Sequence, residues 1–311
     1  MPFVPGGRNF RPSIAAVVMP EGGVSGDLQP GILSEYLTED TGFFVRSTRE
    51  LARFRSPYQT VEVHETKPYG TLFRLDGHFM TSEKDEFFYH ENLVHMAALA
   101  HRRPASALIV GGGDGGSVEE LLKYPTMTEV TLVEIDAAVI DVAHKYLSSI
   151  HRGSLTDPRV ALKVEDGFAF VRKSRDTFDL IVLDLTDPGG PSEPLYRLEF
   201  YQACAARLRP DGAMTLHIAS PVAHPDRIRV GIANLRAAFP VVVPYLVSVP
   251  LYGGLWMMAC ASNALDPSQI SASEVDRRIG ERGIAELRYY NGDMHRAALA
   301  LPNFVRDLVF R

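Results

Sequence analysis

Ala107-Leu108-Ile109-Val110-Gly111-Gly112-Gly113-Asp114-Gly115-Gly116 decides how the rest of the chain is read. Four apolar residues make a short buried strand. The glycines then turn the backbone into a helix that begins near Ser117. Gly111, Gly113 and Gly116 satisfy G-x-G-x-x-G in the strand–turn–helix context which that pattern requires. Downstream, Val130-Thr131-Leu132-Val133 reads as the second strand and ends in Glu134 and Asp136. An acidic residue about 20 positions past such a turn holds the hydroxyl pair of a ribose. A nucleoside-containing ligand follows from this much.

Asp114 narrows the ligand. A helix N-terminus over a glycine-rich turn ordinarily attracts anions, because its free N–H groups carry partial positive charge. A carboxylate placed inside the turn repels a pyrophosphate and suits a nucleoside with a cationic tail, such as an adenosyl sulfonium. Its plain structural alternative is a capping role at the start of the helix.

The chain has 311 residues, enough for one large domain or one plus a small one. The formal net charge of −6 argues against a nucleic-acid footprint, which needs a basic face. No apolar run approaches the ~20 residues of a membrane span. Cys204 and Cys260 lie in apolar segments, so a reducing, cytoplasmic setting is expected.

Residues 1–31 are rich in Pro and Gly and read as an extended or partly disordered arm. Residues 32–81 read as a small antiparallel β-domain. Tyr58 to Val63 and Thr71 to Leu75 alternate, and Asp76-Gly77 is a hairpin signal. Thr81-Ser82-Glu83-Lys84-Asp85-Glu86 reads as the opening of a helix that runs to about His101. Over 82–311 the pattern alternates. Helices are expected over 118–123, 137–146, 168–173, 199–208 and 228–239, and strands over 130–133, 160–164, 180–183, 213–218, 241–249 and 256–261. A short helical tail follows. This alternation predicts an α/β fold: a Rossmann-like, doubly wound parallel sheet with an antiparallel last strand.

Strand ends carry Glu134 and Asp136, Asp166 and Asp184, and the glycine turn carries Asp114. Ligands in open α/β sheets bind outside the carboxyl ends of the strands, so these acids are expected to converge on one cleft. His90 and His95 are five apart and share no helical face, so no metal site is expected.

With these residues in place the chain resembles the spermidine synthase family, the polyamine aminopropyltransferases. The similarity runs from about Ser56 to the C-terminus. It rests on Ser56-Pro57-Tyr58-Gln59, Leu75-Asp76-Gly77, Asp85-Glu86-Phe87-Phe88-Tyr89-His90-Glu91 and the glycine turn. It continues through Glu134-Ile135-Asp136, Asp166-Gly167, Asp184-Leu185-Thr186-Asp187-Pro188 and Pro250-Leu251-Tyr252. The resemblance implies transfer of an aminopropyl group from decarboxylated S-adenosylmethionine, a co-substrate, to a polyamine acceptor, with release of methylthioadenosine. It implies no prosthetic group, and a homodimer or homotetramer.

Carried over by position, Gln59 and Asp114 face the aminopropyl end of the donor, within the turn of Gly111 and Gly113. Glu134, followed by Asp136, takes the ribose, and Asp166 with Gly167 faces the adenine. Tyr89, His90, Asp184, Asp187 and Tyr252 line the amine site. Asp184 is then the acid–base residue, and Asp187 and Tyr89 are catalytic beside it. Met80 stands where some members have glutamine, and Leu185 with the compact Tyr252-Gly253-Gly254-Leu255-Trp256-Met257 resembles the thermospermine-type branch, whereas Gly113-Asp114-Gly115-Gly116 and Asp187-Pro188-Gly189-Gly190-Pro191 resemble spermidine synthase proper. Putrescine leads as acceptor, before agmatine, cadaverine or a triamine. The rival readings are a methyltransferase using intact S-adenosylmethionine and a non-catalytic polyamine-binding protein.

Overall fold

Residues 31–188 and 190–310 are described by a computed structural model. Except for Gly31, the expected N-terminal arm lies outside them.

Five strands form an antiparallel sheet in chain order: β1 (Ile32–Tyr36), β2 (Gly42–Arg55), β3 (Thr60–Thr66), β4 (Gly70–Leu75) and β5 (His78–Ser82). β4 and β5 meet across Asp76-Gly77, with φ of 48° and 82°. Two positive φ values in succession make the turn whose twist matches that of the strands. Thr81 and Ser82 end β5, paired with Phe73 and Leu72. The helix expected to open at 81 therefore starts later, as α1 (Glu86–Ala100). Strand pairing takes the hydroxyl residues that looked like caps.

Next come β6 (Ser106–Gly111), α2 (Gly116–Leu122), β7 (Glu129–Glu134), α3 (Ala137–Tyr146), α4 (Ser148–His151), β8 (Val160–Val164), α5 (Gly167–Lys173) and β9 (Phe178–Asp184). α6 (Leu198–Ala205), β10 (Leu208–Ala219), α7 (Pro225–Ala238), β11 (Val241–Val249) and β12 (Gly254–Ser262) complete the sheet. The tail is α8 (Ala272–Glu281), α9 (Gly292–Leu299) and α10 (Asn303–Phe310). Leu208, expected in a helix, begins β10 instead.

The large sheet has seven strands in the order β11-β12-β10-β9-β6-β7-β8. β6 to β10 are parallel, and β12 is antiparallel to both neighbours. The antiparallel last strand is thus inserted between β10 and β11 rather than added at the edge. Alternate side chains of β6 face opposite layers. Ala107 and Ile109 pack with α1 and α2 residues such as Leu93 and Leu121. Leu108 and Val110 pack with Phe170 and Phe200 of α5 and α6. Each such fully buried branched side chain contributes about 1.5–3 kcal/mol. Helices cover both faces, which is why the parallel strands read as continuous apolar runs.

Strand order reverses between β6 and β9, and their ends are in register, Gly111 opposite Asp184. A crevice opens at such a reversal. No helix among the described residues is long and apolar enough to cross a membrane.

Candidate active site

Over the ends of β6, β7 and β9 lies a cleft of about 1020 Å³ including its mouth. Its floor is the glycine turn. Gly111 has φ of +78°, and a Cβ there would sit 2.1 Å from the Asp184 carbonyl oxygen, so no larger residue fits. Phe73, Leu75 and Met80 of the small sheet close one side, and Pro191, Pro194 and Leu195 close another.

Of the residues singled out in the sequence, Gln59, Tyr89, His90, Gly111, Gly113, Asp114, Glu134, Asp166, Gly167, Asp184 and Tyr252 line this cleft. Asp136 and Asp187 do not.

At one end, Glu134 is buried and receives the Asp136 N–H at 2.9 Å. Burial pushes its carboxyl up to about 7, against the pull of that N–H. Asp166 caps α5 by accepting the Ala169 N–H at 2.7 Å through Oδ1.

Asp114 Oδ1 accepts the Gly116 N–H at 3.0 Å. Asp114 therefore caps the turn and faces the cleft at once. Its Oδ2 lies 3.5 Å from His90 Nε2, and His90 Nδ1 lies 3.0 Å from Glu86. Burial would lower the His90 pKa, but Asp114 and Glu86 together hold it well above the ordinary histidine value. The same pairing outweighs burial for Asp114 and lowers its carboxyl.

Asp184 closes the triangle. Ser117 Oγ donates to its Oδ2 at 2.7 Å, and the same oxygen lies 3.9 Å from His90 Nε2. Burial and the nearby Asp114 raise its carboxyl above the usual aspartate value. His90, Asp114 and Asp184 bring one ligand-type atom each within 4.8 Å of the others. With His90 protonated and donating from both nitrogens the set offers a metal only carboxylates, whereas a substrate ammonium is well matched.

Tyr89 and Tyr252 stack edge to face, 5.6 Å between centroids. Tyr252 Oη donates to the Met80 carbonyl at 2.6 Å.

Asp136 turns away from the cleft. It caps α3 at the Ala138 N–H and accepts from Ser56 Oγ at 2.6 Å. Asp187 lies 3.2 Å from His217 Nε2 and 3.7 Å from Arg227. These two partners hold its carboxyl below the usual range despite burial.

Sequence reasoning passed over Ser117, Tyr196 and His217. For His217 there was a signal: a single imidazole in the apolar run Met214-Thr215-Leu216-His217-Ile218, near the carboxyl end of a central strand.

The model of the spermine/spermidine synthase domain matches residues 86–269. The chain belongs to that family. Residues 49–83 match a second model, the spermidine synthase tetramerisation domain. A polyamine aminopropyltransferase of Nitrosomonas europaea is 49% identical over 275 residues, 88% of this chain and 85% of that one. One of Moorella thermoacetica is 40% identical over 277 residues, 89% and 95% of the two chains. A crystal structure of spermidine synthase in complex with the transition state analogue AdoDATO superposes with a TM-score of 0.85. It has 35% sequence identity, covering 93% of this chain and 98% of that one. Spermidine synthase from Thermotoga maritima gives 0.82 at 34% identity, covering 93% and 97%. The family's fold, a small antiparallel sheet before a Rossmann-like sheet, is the one observed.

Proposed function

We propose that this chain moves the aminopropyl group of decarboxylated S-adenosylmethionine onto the primary amine of a polyamine, putrescine first among the acceptors, and releases methylthioadenosine. One observation carries the reading: the carboxylates of Asp114 and Asp184 face one buried volume beside the glycine turn, with Glu134 and Asp166 further along the same cleft.

In this reading Glu134 binds the ribose, Asp166 and the Gly167 backbone meet the adenine, and Asp114 with Gln59 receives the aminopropyl ammonium. The acceptor enters alongside Tyr89 and Tyr252, which both line the cleft. It arrives as an ammonium and must lose a proton before it reacts. Asp184 is the base: burial has raised its carboxyl, and the approaching sulfonium charge lowers the pKa of the amine. The freed lone pair attacks the carbon bonded to sulfur. The C–N bond forms as the C–S bond breaks, and sulfur keeps the pair as a neutral thioether. Tyr89 stays protonated, since burial and Asp184 raise its hydroxyl well above the ordinary value, and it orients the nitrogen. The positioned pair of reactants supplies much of the acceleration. Asp187, set back from the cleft, acts through its partners.

Intact S-adenosylmethionine carries an additional carboxylate, which Asp114 repels. His90 cannot receive it, being bracketed already by Glu86 and Asp114. We also infer a homodimer or homotetramer, supported by the tetramerisation-domain match and by Phe44 and Phe54, exposed on the small sheet. Light scattering checks this, and a monomer at assay concentration removes it. The reaction is tested by incubating the chain with each donor and a panel of di- and triamines. Methylthioadenosine with an aminopropylated amine is expected. A methylated amine without methylthioadenosine, or binding without turnover, defeats the reading.

A further inference from the structure

His217 sits buried on β10, away from the wall of the cleft, yet it touches a residue that forms it. Tyr89 Oη lies 2.8 Å from His217 Nδ1. On the other side of the ring, Nε2 lies 3.0 Å from Tyr196 Oη and 3.2 Å from Asp187 Oδ1. Tyr196 has one hydroxyl hydrogen and gives it to the Thr186 carbonyl, 2.9 Å away. Its oxygen can therefore only accept from Nε2, and Asp187 can only accept as well. Nε2 carries the ring hydrogen, and Nδ1 presents a lone pair to Tyr89.

The consequence lies at Tyr89. With Nδ1 as acceptor, the tyrosine hydrogen points at His217 and away from the cleft. The oxygen lone pairs are left to face an incoming ammonium. We propose that His217 is a positioning residue that acts through Tyr89: it fixes the direction of the Tyr89 hydroxyl so that the hydroxyl accepts from the acceptor amine. This role rests on the transfer reaction proposed above.

Two substitutions at this position separate the hydrogen bond from the volume. In H217L the acceptor is gone, and kcat is expected to fall about tenfold or more, the effect of losing one oriented hydrogen bond in the transition state. Methylthioadenosine affinity should stay near wild type, and thermal stability should fall because the buried Tyr89 hydroxyl loses its acceptor, so kcat is compared below the unfolding transition of each variant. In H217Q the side-chain oxygen accepts from Tyr89 and the amide N–H serves Asp187. Most of kcat should return. In a Y89F background H217L should change nothing further.

The role is overturned if H217L turns over like wild type, if H217Q is as slow as H217L, or if the two losses multiply in the Y89F background. A wild-type chain that forms no methylthioadenosine removes the transfer reaction itself, whereas an active wild type with an equally active H217L removes only this role.

Discussion

Gln59 Nε2 donates to Asp136 Oδ2 at 3.0 Å, across 77 residues of chain and between the two sheets. The amide thereby has its nitrogen occupied and its oxygen left over. Gln59 lines the cleft, so the oxygen is the end available to a cationic tail. Asp136 thus sets the pose of a cleft residue without lining the cleft itself.

Asp136→Ala removes the acceptor for Ser56, Gln59 and the Ala138 N–H together. The variant is expected to be destabilised by about 2 kcal/mol or more, since buried donors lose their partner. The donor KM should rise about tenfold with kcat nearly kept, as for loss of one charge-linked contact. In a Gln59→Ala background the KM effect should be absent. Steady-state kinetics on the single and double variants decide this, and independent effects on KM would dissolve the link.

Asp184→Asn keeps the shape and the Ser117 contact but cannot accept the amine proton. A fall in kcat of about 100-fold or more is expected, the usual range for a general base. Methylthioadenosine should bind as before. A variant with more than a tenth of wild-type kcat would take Asp184 out of the proton step.

Glu134 links binding to stability. Its carboxyl ionises near 4.5 when free and near about 7 in the folded chain. The folded state thus holds a proton that the unfolded chain has already released, and this contribution is present at low pH. It is lost as pH rises from 4.5 to about 7, a penalty of about 3 kcal/mol that persists above. Glu134→Gln should therefore raise the thermal midpoint at pH 8, leave it unchanged near pH 4, and abolish nucleoside binding. Calorimetry at the two pH values and a binding titration check both halves. A lower midpoint at pH 8 contradicts the burial argument.

Gly116→Ala tests the packing under Asp114. A Cβ at this position would lie 2.2 Å from the His90 ring. The ring cannot retreat, because Glu86 and Asp114 hold it from both sides. Overpacking of this sort destabilises by about 1–3 kcal/mol. Activity should fall with stability, and a crystal structure should show His90 displaced from Asp114.

The sequence was most informative where geometry follows from position in a parallel sheet. Glu134 and Asp184 end strands, Asp166 follows one closely, and Asp114 sits in the turn after β6, so one crevice gathers them. Two residues past Glu134 and three past Asp184, a loop decides the direction of the side chain, and sequence pattern has no hold on it. That is why Asp136 and Asp187 were grouped with the cleft and yet face Ser56 and Gln59, and His217 and Arg227. Thr81 and Ser82 had the composition of a helix cap, but β4 lay within reach and pairing prevailed. His217 depends on partners 128 and 21 residues away. No local window contains that information.

Tyr252 is anchored to the main chain of residue 80, not to its side chain. Any amino acid carries that carbonyl, so the tyrosine keeps its seat whatever replaces Met80. A change of side chain at position 80 therefore reshapes this wall of the cleft while the ring of Tyr252 keeps its main-chain anchor.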